Sequence, residues 1–330
     1  MRTKNTKFII VGGGLSGLIF GMNLSKLDES YILVEKNEVV PEAKLHYLHE
    51  DVSEYLPFKL NRVDVITNVL WNGKLYTTPT IDMMNYFSYT TLGRIMQNSM
   101  KFIDGSIHNG WIPEFGLDNI QDKIKELNKG ELMFGANLSL LDTTSKIAHV
   151  LYQENEIEIK YEYLISTIPL PAVLKISGIM ADSIDSFKTE PIKMTEVITN
   201  QDCFGDMFEI VYIPQAEMGY ARFSILGKRI VAEKANGNFE ATESGNRIGL
   251  NKLLTLLLPN INTSLCEFKD VTNWFGRYIP IDETERNEII SELNKNDIYP
   301  LGRYAEWTYK RVDHVVKDAE KLAQRLKYIY

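Results

Sequence analysis

The distribution of apolar residues changes character along the chain. Phe8-Ile9-Ile10-Val11 is a continuous apolar run of the length expected for a strand buried on both faces, and it ends directly in three glycines. Leu15, Leu18, Ile19 and Met22 then recur at i, i+3, i+4 and i+7, which predicts a helix with one apolar stripe. A polar turn at Asp28-Glu29-Ser30 leads to a second apolar run, Tyr31-Ile32-Leu33-Val34, closed by Glu35. Further on, alternation replaces the continuous runs. Val63 to Tyr76, Met194 to Thr199, Phe208 to Ile213, Tyr220 to Leu226, Arg229 to Lys234 and Phe268 to Trp274 predict strands of a largely antiparallel sheet. Helical spacing returns over Asp82 to Phe102, Leu117 to Leu127 and Val312 to Leu326. The greasiest stretch, Leu253 to Leu258, is far shorter than the roughly 20 residues of a bilayer span and predicts one face of a core helix.

The glycines therefore fall at a strand-to-helix turn, in the order strand, Gly12-Gly13-Gly14-Leu15-Ser16-Gly17, amphipathic helix, strand, acid. In such a turn Gly12 permits the tight reversal, Gly14 lets a diphosphate approach the backbone, and Gly17 allows helix and strand to pack closely. The helix N-terminus directs unpaired N–H groups and the positive end of its dipole at that anion. Glu35 is placed to accept ribose hydroxyls, which favours FAD or NAD over the phosphorylated NADP.

Segments distant from the turn select among these cofactors. Tyr163-Leu164-Ile165-Ser166-Thr167-Ile168-Pro169-Leu170-Pro171 resembles the strand that closes the FAD domain of amine oxidase-like and protoporphyrinogen oxidase-like flavoenzymes. Tyr299-Pro300-Leu301-Gly302-Arg303-Tyr304-Ala305-Glu306-Trp307-Thr308-Tyr309 resembles the C-terminal flavin-contacting motif of UDP-galactopyranose mutases. His46-Tyr47-Leu48-His49, the strand Trp71 to Pro79, Gly219 to Ile225 around Arg222, and Tyr278-Ile279-Pro280-Ile281 are similar to further mutase segments, in the same order.

The resemblance implies an α/β protein: a Rossmann-type FAD-binding domain (1–45, 112–178 and 296–330) interleaved with a smaller substrate domain (46–111 and 179–295). The second domain is expected to hold the antiparallel sheet and a short helical insertion. The FAD contacts implied are Gly12, Gly14, Leu15, Ser16, Gly17, Glu35, Lys36, Thr167, Gly302, Arg303 and Tyr309. Arg222, His46 and Tyr309 are the implied catalytic groups, Arg222 because a planar guanidinium grips phosphate in bidentate fashion. No metal site is expected. The activity implied is ring isomerisation of a sugar nucleotide with reduced flavin and no net redox change.

Some positions depart from the mutases. Ile81 stands where their motif has asparagine, Arg311 stands where it has aspartate, and only Met83 to Asn109 is available for their multi-helix insertion. These departures leave room for an amine oxidase or lyase acting on an amine, an amino acid or an amino-modified nucleobase, and for a scaffold without catalysis.

Composition narrows the partners. A net charge of −8 and a pI near 5.3 argue against a surface for long stretches of nucleic acid, while a small-molecule or nucleotide-linked substrate remains compatible. Cys203 and Cys266 form no CxxC or Cys/His cluster, so neither a disulfide framework nor structural zinc is signalled, and a reducing cytoplasm is expected.

Overall fold

The computed structural model describes residues 2–39, 47–89, 103–116, 119–203, 207–234 and 243–328. The chain has a mixed α/β fold in two compact units. One is built from Met1–Asn61, Trp111–Lys188 and Pro280–Tyr330, the other from Arg62–Gly110 and Thr189–Ile279.

The first unit is organised on a parallel sheet. Strands β2 (Phe8–Val11), β3 (Tyr31–Glu35), β7 (Glu131–Phe134), β11 (Tyr163–Ser166) and β17 (Ile298–Pro300) lie in the order β17-β11-β2-β3-β7. Val11 pairs with both Val34 and Ser166, and Ser166 with Pro300, so four strands end level with the glycine turn. Every residue of β2, β3 and β11 is buried, which is why their sequences are continuous apolar runs rather than alternating ones.

Helix α1 (Leu15–Lys26) differs from its predicted single stripe: Gly17 to Ser25 are all buried. Helices α3 (Ile120–Glu126) and α7 (Val312–Lys327) also pack against α1, so its outer face meets protein rather than solvent. Ala319 and Ala323 on α7 are fully buried in that core, where small side chains let helices approach closely.

A second sheet in this unit has the order β1-β10-β9-β8, from Arg2–Asn5, Asn155–Lys160, Ile147–Tyr152 and Asn137–Asp142. The sequence reading missed it, although Ile147–Tyr152 and Asn155–Lys160 alternate around a tight turn at Gln153 and Glu154, both at positive φ. Helix α6 (Glu283–Lys295) was missed as well. Its signal is Asp282, whose carboxylate accepts from the Thr284 and Glu285 amides as an N-cap.

Residues 47–61, 111, 179–188 and 280–295 group with the first compact unit. Leu48 exchanges backbone hydrogen bonds with Trp111 at 2.9 Å in both directions, Leu56 and Leu60 enter the first core, and α6 packs on β17. Tertiary contacts of this kind leave no periodic trace.

In the second unit the sheet order is β16-β12-β15-β14-β13-β4-β5, with β6 (His108–Pro113) also on β4. The strands are Leu60–Trp71 (β4), Lys74–Tyr76 (β5), Thr189–Ile198 (β12), Phe208–Tyr212 (β13), Tyr220–Leu226 (β14), Arg229–Lys234 (β15) and Glu267–Tyr278 (β16). Along that path only β13 and β4 pair in parallel. The predicted single strand over Val63 to Tyr76 is in fact the hairpin β4–β5, turning at Asn72 and Gly73, both at positive φ as a two-residue turn requires. One face of the sheet, with Val211, Phe223, Ile225 and Ala232, packs against Leu250, Leu253, Leu254 and Leu257 of α5 (Glu243–Leu257). The expected helix over Asp82 to Phe102 is described as α2 (Ile81–Tyr89), and its remainder lies outside the described residues. Among the described residues no helix is long and apolar enough to cross a membrane.

Candidate nucleotide-binding site

The glycine turn is held from two sides. The Gly12 amide donates to the Val34 carbonyl at 2.9 Å and the Thr167 amide to the Val11 carbonyl at 2.8 Å, while the Thr167 hydroxyl sits 3.0 Å from the carbonyls of both Val11 and Gly12. Gly12 has φ +107°, and a Cβ there would overlap the Thr167 hydroxyl. A Cβ on Gly17 would overlap the Gly12 carbonyl oxygen, so helix and strand pack at a separation only glycine allows. Gly14 is the exception. It is the N-cap of α1, with ordinary φ and no side-chain cap, and a Cβ on it would meet nothing within 4 Å. The first turn of α1, including Leu15, Ser16 and Gly17, bears no acid. Its amides, which a helix leaves unpaired, open on that free space.

Glu35 lies 5% exposed at the end of β3. Its Oε2 accepts from the Gly13 amide at 2.6 Å; its Oε1 accepts from the Asn37 amide at 2.8 Å and from Asn37 Nδ2 at 2.6 Å. The motif places Glu35; it gives no notice of Asn37. Lys36 is exposed to solvent.

The C-terminal motif joins the same end of the sheet. The Leu301 amide donates to the Ser166 carbonyl at 2.9 Å, and Gly302, at φ +101°, passes so close to α1 that a Cβ would lie 2.5 Å from Ser16 Oγ. Arg303 Nε donates to the Lys310 carbonyl at 2.8 Å, and its guanidinium lies 5.1 Å from the ring centre of Tyr309, which is 52% exposed. Gly12, Gly14, Leu15, Ser16, Gly17, Glu35, Thr167 and Gly302 are thus brought together within the first unit. His46 lies outside the described residues.

Downstream, Arg311 shows what its exchange for aspartate entails. Its Nη2 lies 2.9 Å from Glu50 Oε1 and 2.9 Å from Asp313 Oδ2, and it donates to His314 Nε2 at 3.0 Å, while Lys317 pairs with the other Glu50 oxygen. The Lys317 hydrogen bond and the neighbouring cations hold the Glu50 carboxyl below its ordinary value. Glu50, Asp313 and His314 offer ligand atoms within 4.8 Å of one another, but the protein's own guanidinium and ammonium already neutralise those carboxylates. Nearby, burial pushes the Glu306 carboxyl up against the opposing effect of its partner Lys310.

Arg222, in the second unit, is only 15% exposed and is bound to Glu233, its cross-strand partner on β15. Arg277 donates to the other Glu233 oxygen at 3.1 Å, so one carboxylate is shared by two guanidiniums. Burial alone would lower the Arg222 pKa; the Glu233 charge and the Tyr212 hydroxyl reverse the direction and hold it above its ordinary value. Sequence reasoning named Arg222 but neither Glu233 nor Arg277, whose partnership spans 44 residues.

No protein-family model and no curated protein matches the sequence. Solved structures do match its fold. A reduced UDP-galactopyranose mutase superposes with a TM-score of 0.69 at 14% identity, covering 98% of this chain and 94% of the mutase. A cofactor-binding triple mutant of putrescine oxidase gives 0.68 at 12% identity, covering 99% of both chains. A CLA-producing fatty acid isomerase from P. acnes gives 0.65 at 12% identity, covering 98% of this chain and 99% of the isomerase. The chain therefore has the fold these enzymes share, over nearly its whole length.

Proposed function

We propose that the chain is a flavoenzyme whose first unit binds FAD. The observation that carries this reading is the glycine turn itself: Gly12 and Gly17 are fixed by contacts a Cβ would break, whereas Gly14 faces open space beside the uncapped start of α1. That combination suits a diphosphate, which needs backbone amides and no side chain in the way. Glu35, bonded to the Gly13 amide, has the acceptor chemistry a ribose hydroxyl requires. Gly302 and Arg303 follow in the segment that passes α1.

When bound, FAD supplies the electron-transfer or nucleophilic chemistry that side chains lack. The favoured activity is isomerisation of a sugar nucleotide without net electron consumption. Its support is the full-length fold likeness to the mutase together with the segments around Arg222 and Gly302-Arg303. In that role Arg303, beside Tyr309 in the first unit, meets the anionic part of a nucleotide-linked substrate, and within the second unit Arg222, oriented by Glu233, is the guanidinium with phosphate-binding chemistry.

A second reading, an oxidase or lyase of amines, is favoured by Arg311. A guanidinium committed to Glu50 and Asp313 replaces the carboxylate of the mutase motif, which reverses the local charge. The likeness to putrescine oxidase covers the chain equally well.

The test is to purify the protein, release and identify its cofactor, and follow flavin absorbance against panels of sugar nucleotides and amines. Turnover of a sugar nucleotide only after prereduction, without oxygen uptake, is the expected result. Bleaching by amines alone overturns the mutase reading in favour of the second, and a protein that takes up no flavin overturns both.

A further inference from the structure

A carboxylate has about four lone-pair directions, two on each oxygen. In Glu35 three are taken: Asn37 fills both directions of Oε1 with its amide and its Nδ2, and the Gly13 amide takes one on Oε2. Asn37 is fixed in turn, because its carbonyl accepts the Gly135 amide at 2.8 Å, from the positive-φ turn that follows β7. The next amide, Ala136, donates to the Glu35 carbonyl at 2.9 Å. The glycine turn, the end of β3 and the β7–β8 turn are thereby clasped around one carboxylate.

We propose that Asn37 is a positioning residue that leaves Glu35 a single acceptor direction, on Oε2, so that Glu35 receives one hydroxyl of the adenosine ribose and not both. The proposal rests on the FAD reading above. It also makes the site intolerant of a ribose phosphate, since the one remaining direction belongs to an anion with no cation among these three partners. Asn37 is exposed, and its replacement removes the Nδ2 donor from Glu35, leaving the main-chain amide in place, without opening the core.

The experiment measures the dissociation constants of the apoprotein for FAD and for FAD analogues lacking the adenosine 2′- or 3′-hydroxyl, by quenching of flavin fluorescence. In the wild type one analogue is expected to bind like FAD and the other about 10- to 100-fold more weakly, as for a hydrogen bond to a charged group. In Asn37→Ala the Nδ2 donor is lost while the main-chain amide stays, so one direction of Oε1 is released to the second hydroxyl and the two analogues become equivalent. Asn37→Asp sets a second carboxylate against Oε1, so FAD affinity falls at neutral pH and recovers on acidification, as the pair takes up a proton. Melting of each apoprotein checks that the variants are folded. Equal losses with both analogues in the wild type, or discrimination that survives in Asn37→Ala, overturn the proposal while leaving FAD binding intact. A folded wild type that binds no FAD overturns the cofactor reading and this proposal with it.

Discussion

The two units handle polar groups in opposite ways. In the first, the candidate site is made of main chain: glycines placed where a Cβ would collide, amides at the start of a helix, and one carboxylate that fastens the turn. In the second, the buried chemistry is made of side chains, with Arg222, Glu233 and Arg277 drawn from β14, β15 and β16. Main-chain sites depend on local order along the chain and tolerate almost no added atoms. Side-chain sites depend on register between distant strands, and their tolerance is set by charge balance.

The largest effect expected is on the main-chain side. Gly17→Val drives side-chain carbon into the Gly12 carbonyl, and urea unfolding should show a loss of more than about 4 kcal/mol. Gly14→Ala sharpens the contrast. Its Cβ enters open space, so stability should change by less than about 1 kcal/mol, yet cofactor retention on gel filtration should fall. Equal destabilisation by the two substitutions would mean that Gly14 is as structural as Gly17.

Next comes the side-chain cluster. Glu233→Gln leaves two buried guanidiniums without their shared carboxylate and should cost about 3–5 kcal/mol, whereas replacing all three groups by apolar residues of similar volume should restore most of it. Failure of the triple variant to recover would show that the cluster does more than neutralise itself. A smaller effect is expected from Thr167→Val, which removes the hydroxyl bonded to the Val11 and Gly12 carbonyls and should cost about 1 kcal/mol in the same assay.

The smallest effect concerns Glu209, buried in the second unit with the Asn68 amide at 2.7 Å. Burial raises its carboxyl pKa, and the Asn68 hydrogen bond opposes this only in part. The folded protein therefore holds a proton that the unfolded chain has released, and stability falls as pH rises from the ordinary carboxylate value to the raised one. Glu209→Gln should be more stable than wild type above that window and lose the advantage below it. Parallel pH profiles for the two proteins would remove Glu209 from the account.

The sequence could be read wherever one segment's pattern is set by its own burial. Phe8 to Val11 and Tyr31 to Val34 are apolar because both faces of their strands are covered, and Ala221 to Ile225 alternates because Phe223 and Ile225 pack in the apolar core with the helix while Arg222 and Ser224 face the other side of the sheet. The small sheet with β8, β9 and β10 escaped that reading because each of its strands buries at most two residues, against four or more in β13, β14 and β15. The near-complete burial of α1 escaped as well, because helices more than ninety residues away cover the face that its stripe leaves polar.

By itself, then, the sequence determined the turn from Gly12 to Gly17, the acid that follows it and the alternation of the second sheet, since glycine placement and hydrophobic period are local consequences of backbone sterics and burial. Only the tertiary structure decided that Asn37 holds Glu35, that Glu233 is shared by Arg222 and Arg277, and that Arg311 is bound among Glu50, Asp313 and His314. Hydrogen bonds and ion pairs act over about 3 Å in space, and the order of residues along a chain does not say which of them will come that close.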